Sequence, residues 1–369
     1  MPPSTRRQVL ASAGALLSVG VAGGDTASRD SHPEPLSDAP RPDDLRNRFL
    51  ARESPVETVA TNLEVPWGTD VSSDGTLYFT ERPGRVNRLG SNGVELLAEI
   101  DDTYAVGEGG LLGLALHPNF PATPCLYLFQ TYEDDGIVQR ILRYRLSGGE
   151  LERAAVVFDD IPGAKRHTGG RLAFRPDGDL YASVGDADEA EKAQNPETLH
   201  GSILRLDADG SVPDCRGPVF SYGHRNPEGL AFHPDTRALY STEHGPDTDD
   251  EINYIERGNN YGWPVVTGKS ENPSFTDPLA SYTPTIAPAS AAFYDGAFYF
   301  GTLAGEHLHR VTFGPDGRTV ESDDRLFEGK FGRVRSVLDG SDGLYFVTSN
   351  RDGRGTPADD DDRILRWTP

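Results

Sequence analysis

Six copies of one short pattern occur between residues 74 and 348, and each copy places a turn before an aromatic-rich strand. The copies read DGTLYFT (74–80), TPCLYLF (123–129), DGDLYAS (177–183), TRALYST (236–242), DGAFYFG (295–301) and DGLYFVT (342–348). Their tyrosines are Tyr78, Tyr127, Tyr181, Tyr240, Tyr299 and Tyr345, at steps of 49, 54, 59, 59 and 46 residues. Periods near 50 residues with several short strands each are typical of a β-propeller.

Two further strand patterns accompany each copy. The preceding strand recurs as WGTDVSS, LGLALHP, GRLAFRP, EGLAFHP, ASAAFYD and VRSVLDG, and the following strand as GRVNRL, QRILRYRL, GSILRLD, DEINYIE, EHLHRVTF and DRILRWTP. One blade cannot bury both faces of its sheet, so stacking around a ring forms the core. The chain ends within the third-strand pattern, so the early segment VETVATN is predicted to complete the last blade. The sequence therefore predicts an all-β fold over residues 55–369: a six-bladed β-propeller of four-stranded antiparallel blades, closed by an N-terminal strand.

The N-terminal segment STRRQVLASAGALLSVGVAGG has the order of an export signal. Arg6 and Arg7 precede an apolar run from Val9 to about Ala22, which is too short to span a bilayer. The paired arginines resemble a twin-arginine signal, which implies export in a folded state. We predict a signal peptide over residues 1–24, a disordered linker rich in Asp, Ser, Pro and Arg over residues 25–54, and no membrane-spanning segment in the mature chain.

The chain is strongly acidic. Its formal net charge is −23 at pH 7, and only four of its 35 basic residues are lysines. Such a surface suits a protein that stays solvated in concentrated salt, although a GC-rich genome or an ordinary acidic secreted protein also accounts for it. In either case the surface repels nucleic acid and anionic lipid, and neither is a predicted partner.

The two cysteines make neither a disulfide framework nor a metal motif. Cys125 lies in an apolar strand and Cys215 in a loop. We expect isolated thiols, with a single disulfide as the alternative.

Features that do not recur are where function should be sought, and the first is the segment RHTGG before the third inner strand. His167 is a candidate general base, and Gly169 and Gly170 allow the backbone to approach a flat ligand closely. The alternative is a loop histidine that caps a strand.

Two other loops precede inner strands in the same way. The segment GEGGLLGLALHP (107–118) carries three glycines within four residues and lacks the lysine of a phosphate-binding loop. In YGHRNPEGLAFHP (222–234), Arg225 and Asn226 could meet an anionic or carbonyl-bearing ligand in the channel. An arginine that bridges blades is the alternative reading of Arg225.

Two acidic segments also stand outside the repeat. The segment TEHGPDTDDEINYIERGNNYGWP (242–264) offers backbone carbonyls and the carboxylates of Asp247, Asp249, Asp250 and Glu251 to a hard cation such as calcium, or is a solvated acidic loop. The run ADDDDR near the C-terminus is predicted to be a solvated hairpin loop.

Together these segments, in this order, resemble the soluble aldose sugar dehydrogenase family, also called glucose/sorbosone dehydrogenases. Members are six-bladed propellers that use pyrroloquinoline quinone (PQQ). The resemblance runs from about Leu63 to the C-terminus, and GEGGLLGLALHPNF, HTGGRLAFRPDGDLYASVGD, YGHRNPEGLAF and EHGPDTDDEINYIERGNNYGWP carry it. It implies PQQ- and calcium-dependent oxidation of aldoses at C1 to lactones.

The resemblance also implies roles for single residues. His167 matches the base that takes the proton of the anomeric hydroxyl while hydride passes to C5 of the quinone. Arg225 and Asn226 match the pair that contacts PQQ, the arginine stabilising charge on the C5 oxygen. The carbonyls of Gly245 and Pro246 match the ligands of the calcium ion that polarises the quinone.

Further matches concern a second metal site and the cofactor's carboxylates. Glu251 and Tyr261 match a second, structural calcium site. Arg333 and Arg335 match basic residues that pair with the carboxylates of PQQ.

Three positions depart from the family pattern. Glu108 stands where a glutamine is common near the cofactor and base. Thr283 replaces a tryptophan found in some members, although Thr285 is retained at the cofactor. Ala304 replaces a lysine that often pairs with a PQQ carboxylate, a contact worth about 1.5–3 kcal/mol.

Two alternatives to the dehydrogenase remain. One is a cofactor-free propeller that binds a glycan or a protein, and the other is a calcium-dependent lactonase-type hydrolase. The predicted partners are a small-molecule aldose and an electron acceptor that the sequence does not identify, with the chain acting as a monomer or homodimer.

Overall fold

The computed structural model describes residues 55–369, which form six sheets of four antiparallel strands each. The predicted six-bladed β-propeller is therefore confirmed. The signal peptide and linker predicted for residues 1–24 and 25–54 lie outside the described residues.

The strands follow the repeat, and each blade is given from its inner strand outward. Blade 1 contains β2 (Pro66–Val71), β3 (Leu77–Glu81), β4 (Arg85–Gly90) and β5 (Gly93–Glu99). Blade 2 contains β6 (Leu111–Leu116), β7 (Cys125–Glu133), β8 (Ile137–Ser147) and β9 (Glu150–Pro162). Blade 3 contains β10 (Leu172–Phe174), β11 (Leu180–Val184), β12 (Ser202–Leu206) and β13 (Val219–Tyr222), with a short 3-10 helix at Ala190–Gln194. Blade 4 contains β14 (Pro227–Phe232), β15 (Leu239–Glu243), β16 (Asp250–Ile255) and β17 (Ala280–Tyr282). Blade 5 contains β18 (Pro288–Tyr294), β19 (Ala297–Thr302), β20 (Leu308–Phe313) and β21 (Val320–Leu326). Blade 6 contains β22 (Val334–Gly340), β23 (Gly343–Thr348), β24 (Ile364–Trp367) and β1 (Val56–Ala60).

The N-terminal strand closes the ring, as predicted. β1 pairs antiparallel with β24, with Val56 opposite Trp367 and Thr58 opposite Leu365. The first strand of the fold is thus the outermost strand of the sixth blade. The inner strands contact one another in turn around the channel, and β22 contacts β2.

The hydrophobic core lies between neighbouring blades. The clusters of buried side chains combine residues of adjacent sheets, as Tyr299 and Leu308 of blade 5 do with Val334 and Phe346 of blade 6. A four-stranded blade buries its aromatic second strand only against its neighbour, so the ring as a whole supplies the hydrophobic stabilisation.

Since all six blades have the same strand order, their inner strands begin at one end of the channel and finish at the other. We call these ends the entrance face and the exit face. The loops before β6, β10, β14, β18 and β22, which carry most of the single-copy motifs, open on the entrance face.

The prediction that ADDDDR is a solvated loop is wrong for two of its aspartates. Asp361 and Asp362 are buried. The Asp362 carboxylate accepts hydrogen bonds from the backbone N–H groups of Val65 (3.2 Å) and Asn350 (2.5 Å), and burial raises its pKa to about 6. At the junction of the first and last blades, some buried backbone N–H groups have no strand carbonyl to bind. These carboxylates accept their hydrogen bonds.

The structure also bears on the cysteines and on membrane-spanning helices. Cys125 and Cys215 are free thiols, the first buried and the second exposed, as expected. Residues 55–369 contain no helix that is both long enough and apolar enough to span a membrane.

Candidate functional site

The candidate site is a set of loops at the entrance face, with His167 at its centre. His167 lies between β9 and β10 in a left-handed backbone conformation with φ of 55°, which is uncommon for a residue other than glycine. Its backbone N–H donates to Glu108 Oε2 at 2.7 Å. A hydrogen bond from another blade thus holds a strained loop in place, as is common at functional sites.

Asp186 orients the imidazole. Its Oδ1 lies 2.7 Å from His167 Nδ1, and its Oδ2 accepts a hydrogen bond from Trp263 Nε1 at 2.8 Å. The Asp186 side chain is buried, whereas about an eighth of the His167 side chain is exposed. This bond assigns Nδ1 to Asp186 and leaves Nε2 for a ligand, the arrangement that a positioned general base requires.

Glycines bring these loops into contact. A Cβ atom at Gly185 would lie 1.9 Å from the His167 carbonyl oxygen, so only glycine fits beside the histidine loop. Gly169 has φ of 60° and donates its N–H to Asn226 Oδ1 at 2.9 Å. The glycines of the RHTGG segment therefore let the histidine loop approach the neighbouring blade.

Arg225 lies beside the histidine group. Its Nη1 donates to the carbonyl oxygens of Gly245 (2.7 Å) and His244 (3.2 Å), and its guanidinium lies 5.3 Å from the centre of the Trp263 ring. The Arg225 carbonyl accepts a hydrogen bond from Asp186 N–H. Burial lowers the pKa of Arg225, while nearby carboxylates, Asp186 first among them, oppose this effect. The predicted base, the predicted cofactor arginine and the Gly-Pro loop therefore meet at one place.

Two further predicted cofactor residues, Glu108 and Arg333, form ion pairs at the entrance face. Glu108 Oε1 pairs with Arg354 at 3.1 Å. Arg333 is bound to Asp352 at 2.8 Å and to the Leu303 carbonyl at 3.0 Å. Arg333 and Arg354 thus already have carboxylate partners, so an anionic ligand could bind only their remaining N–H groups.

Arg335 lies deeper, at the start of β22. Its Nη1 is 2.7 Å from Glu228 Oε2, and Glu228 Oε1 accepts a hydrogen bond from Asn226 Nδ2 at 3.2 Å. All three residues are buried. Both amide atoms of Asn226 are thus used, which makes it a residue that orders the site as well as a candidate ligand.

Asp250 organises the fourth blade's contribution. Its Oδ1 accepts from Gly245 N–H at 2.8 Å, and its Oδ2 accepts from the Thr285 hydroxyl at 2.7 Å and from the N–H groups of Ile286 and Ala287 at 2.6 and 2.8 Å. The carboxylate that the sequence offered to a cation is therefore committed to the fold. Thr285, a predicted cofactor residue, is placed by it.

Glu251 and Tyr261 line one small cavity, together with Glu243, Asp249 and residues of the Arg225 loop. Burial, and after it the charge of Glu243, raise the pKa of Glu251 to about 8. The Tyr261 hydroxyl donates to the Tyr254 carbonyl at 2.7 Å and is not directed at Glu251, so Tyr261 could bind a metal there only through its backbone.

The donor set fits both implied groups. Arg225 Nε and His244 Nε2 are buried without a hydrogen-bond partner at the site, as expected of atoms that await a polar ligand. Acidic side chains and backbone carbonyls surround the cavity beside Arg225, and calcium prefers such oxygen ligands. Among residues 55–369, no cluster of three or more His, Cys, Asp or Glu side chains could hold a metal ion, so backbone carbonyls such as those of Gly245 and Pro246 would have to complete any calcium site.

Sequence reasoning missed several residues of the site. Asp186 and Trp263 fix the His167 imidazole. Asp352 binds Arg333, and Arg354 of the sixth blade binds Glu108 in the loop before the second blade. Arg82 donates from Nη1 to the Gly107 carbonyl at 3.0 Å, and burial together with the nearby Arg335 guanidinium lowers its pKa. The one usable signal was position, since Asp186 is a polar residue directly after a second strand that ends at the entrance face.

The chain is similar to known proteins over almost its entire propeller. The glucose/sorbosone dehydrogenase family matches residues 63–365. The PQQ-bound aldose sugar dehydrogenase of Streptomyces coelicolor is 37% identical, with a TM-score of 0.79 covering 86% of this chain and 99% of that chain. Aldose sugar dehydrogenase YliI of Escherichia coli is 29% identical over 338 residues, which cover 81% of this chain and 91% of the relative. Quinoprotein glucose dehydrogenase B of Acinetobacter calcoaceticus is 31% identical over 259 residues, which cover 59% of this chain and 54% of the relative.

Proposed function

Because the chain belongs to the glucose/sorbosone dehydrogenase family, we propose that it oxidises aldose sugars at C1 to lactones with PQQ and calcium. The observation that carries the proposal is the meeting of His167, Asp186 and Arg225 in one hydrogen-bonded group at the entrance face. An oriented imidazole beside a guanidinium is what removal of a proton and stabilisation of negative charge require.

His167 is the proposed catalytic base. Its free Nε2 takes the proton of the anomeric hydroxyl, and the Asp186 carboxylate stabilises the positive charge that the ring gains. Arg225 would stabilise negative charge that develops on the C5 oxygen of the quinone. When bound, PQQ would supply the quinone that accepts the hydride, and calcium would polarise that quinone.

The proposed cofactor and metal ligands are those that the family resemblance assigns. Arg225, Asn226, Thr285, Arg333, Arg335 and Glu108 would surround PQQ, and the carbonyls of Gly245 and Pro246 would bind the calcium ion that polarises it. Glu251 and Tyr261 would hold the second ion. The Arg354 guanidinium offsets the charge of Glu108, which would otherwise repel a carboxylate-bearing cofactor.

We also propose that the protein is exported through the twin-arginine route and works in concentrated salt. The paired arginines before the apolar N-terminal run and the net charge of −23 support this proposal. The test of export is the fate of a variant in which Arg6 and Arg7 are both lysine: it should accumulate inside the host cell, and normal export of that variant would contradict the proposal.

Reconstitution tests the activity. Apoprotein purified in high salt should reduce an artificial electron-acceptor dye with glucose or other aldoses only after both PQQ and calcium are added. Neither PQQ retention nor dye reduction would favour the cofactor-free propeller, and PQQ retention without dye reduction would favour a binding role. Lactone hydrolysis with calcium alone would favour the hydrolase.

Arg82 should strengthen PQQ binding. It lies among guanidinium groups whose mutual repulsion a cofactor carboxylate would relieve, and a charge-assisted hydrogen bond contributes about 1.5–3 kcal/mol. Arg82→Gln should therefore raise the Kd for PQQ by about 10- to 100-fold in a fluorescence titration. The control is Arg88→Gln on β4, which removes an ion pair with Glu95 of β5. An unchanged Kd for Arg82→Gln would remove this role.

Calcium should stabilise the fold through Glu251, and more strongly at pH 8 than at pH 6. A raised carboxyl pKa means that the folded state keeps a proton which the unfolded chain has lost, so stability without calcium falls as pH rises from about 4.5 to 8. Calcium binding at Glu251 displaces that proton. A smaller fraction of Glu251 is protonated at pH 8 than at pH 6, so deprotonation opposes calcium binding less at pH 8. Thermal melts should show this calcium effect in the wild type and in Asp247→Asn, but not in Glu251→Gln. The ion at Gly245 and Pro246 should give a calcium effect without this pH dependence, so a calcium effect in Glu251→Gln with the wild-type pH dependence would contradict the assignment.

A further inference from the structure

The central channel contains a buried positive charge that the proposed chemistry does not use. Arg171 directly precedes the third inner strand, β10, and its side chain is buried with 4% of the residue exposed. Its Nε donates to the Glu228 carbonyl at 2.9 Å and its Nη1 to the Trp67 carbonyl at 3.5 Å, while its guanidinium lies 4.0 Å from the centre of the Trp67 ring. Its Nη2 is buried without a hydrogen-bond partner.

The charges around Arg171 do not balance. The neighbouring guanidinium is that of Arg335, whose Nη1 donates to the Glu228 carboxylate at 2.7 Å. Two cations therefore share one anion, and in the apoprotein the group carries one net positive charge. Arg335 Nε is a second buried donor without a partner in this group. Burial, with a smaller contribution from Arg335, lowers the pKa of Arg171 to about 9, so the guanidinium is still charged at neutral pH.

Arg171 also forms part of the wall of a cavity on the exit-face side of the channel. The C-terminal halves of the inner strands surround this cavity, with walls made of small and apolar side chains such as Ala115, Ala231 and Ala291. The other charged groups in its lining are Asp70, Asp339 and Arg237. Asp70 accepts hydrogen bonds from the N–H groups of Leu116 and Val71, and Asp339 and Arg237 are exposed. None of the three is bonded to Arg171, so the cavity lining supplies no carboxylate partner for its guanidinium.

We propose that the channel holds a monovalent inorganic anion, such as chloride, bound to Arg171 Nη2 on the side opposite the cofactor mouth. A buried net charge of +1 is neutralised by one negative charge, and an unpartnered buried guanidinium N–H is a strong anion donor. The anion stabilises the inner wall of the propeller, and its binding does not depend on the proposed dehydrogenase activity.

Anion-dependent melting of the full apoprotein tests the proposal. Sodium chloride and sodium methanesulfonate are compared at equal ionic strength, so that general screening is the same. The wild type should melt at a higher temperature in chloride, with Tm rising by about 2 °C for each tenfold increase in chloride above its Kd. This increment should disappear in Arg171→Gln and persist in Arg237→Gln, a change at the rim of the same cavity. Equal Tm values in the two salts, or an increment retained in Arg171→Gln, would overturn the proposal.

A second measurement needs no variant. Wild-type crystals grown in sodium bromide should show an anomalous peak within hydrogen-bond distance of Arg171 Nη2, and water alone at that position would contradict the site.

The melting comparison is then repeated with PQQ bound. If PQQ abolishes the chloride effect, chloride only takes the place of a cofactor carboxylate in the apoprotein, and the proposal of a separate anion site is wrong.

Discussion

Replacing His167 by asparagine should reduce kcat by about 10²- to 10⁴-fold while the protein remains folded. Asparagine tolerates the positive φ of this position but cannot take a proton, so the change removes the base without forcing the backbone to move. The loss is measured by steady-state dye reduction with saturating aldose, on enzyme whose PQQ content is determined from its absorbance.

The matched control is Arg166→Gln, which changes the preceding and largely exposed side chain of the same loop. It should leave kcat close to the wild-type value. A His167→Asn variant that binds PQQ and turns over at the wild-type rate would eliminate His167 as the base.

The second large effect is expected at Asp186. Asp186→Asn keeps the size of the side chain but replaces the carboxylate that orients His167 Nδ1 by an amide. The imidazole then loses both its fixed tautomer and the negative charge that stabilises its protonated form. We expect kcat to fall by about 10²-fold or more, because the corresponding aspartate-to-asparagine change in a serine protease triad costs about 10⁴-fold.

A merely structural role for Asp186 would affect other quantities. KM for the sugar and Kd for PQQ should change little in Asp186→Asn, so the loss should lie in kcat. Asp188→Asn is the control, because the Asp188 carboxylate is 3.8 Å from the same ring nitrogen and is partly exposed. Equal losses in the two variants, or a loss confined to PQQ affinity, would contradict the positioning role.

The repeat predicted the inner three strands of each blade because those strands face neighbouring blades and are constrained by packing. The outermost strands were not identified, apart from the closing strand β1. They range from three residues in Ala280–Tyr282 to thirteen in Glu150–Pro162, and exposed edges place weak demands on sequence. The buried aspartates of ADDDDR were misjudged for a related reason, since composition cannot show which backbone donors a carboxylate will meet.

The single-copy loops predicted which residues would meet at the entrance face, but not the contacts that hold the candidate site together. His167 and Arg225 were identifiable because they interrupt a repeat. Contacts such as Arg354 with Glu108, which are 246 residues apart, depend on closure of the ring and leave no local pattern in the chain. The same holds for Arg335 and Glu228, at a separation of 107 residues.

The most direct test of the central claim is rapid anaerobic mixing of the protein, loaded with PQQ and calcium, with an aldose while the quinone absorbance is recorded. The bound quinone should be reduced in one turnover, aldose deuterated at C1 should slow this reduction, and His167→Asn should nearly abolish it. A protein that binds PQQ at this mouth and shows no absorbance change with any aldose would contradict the account.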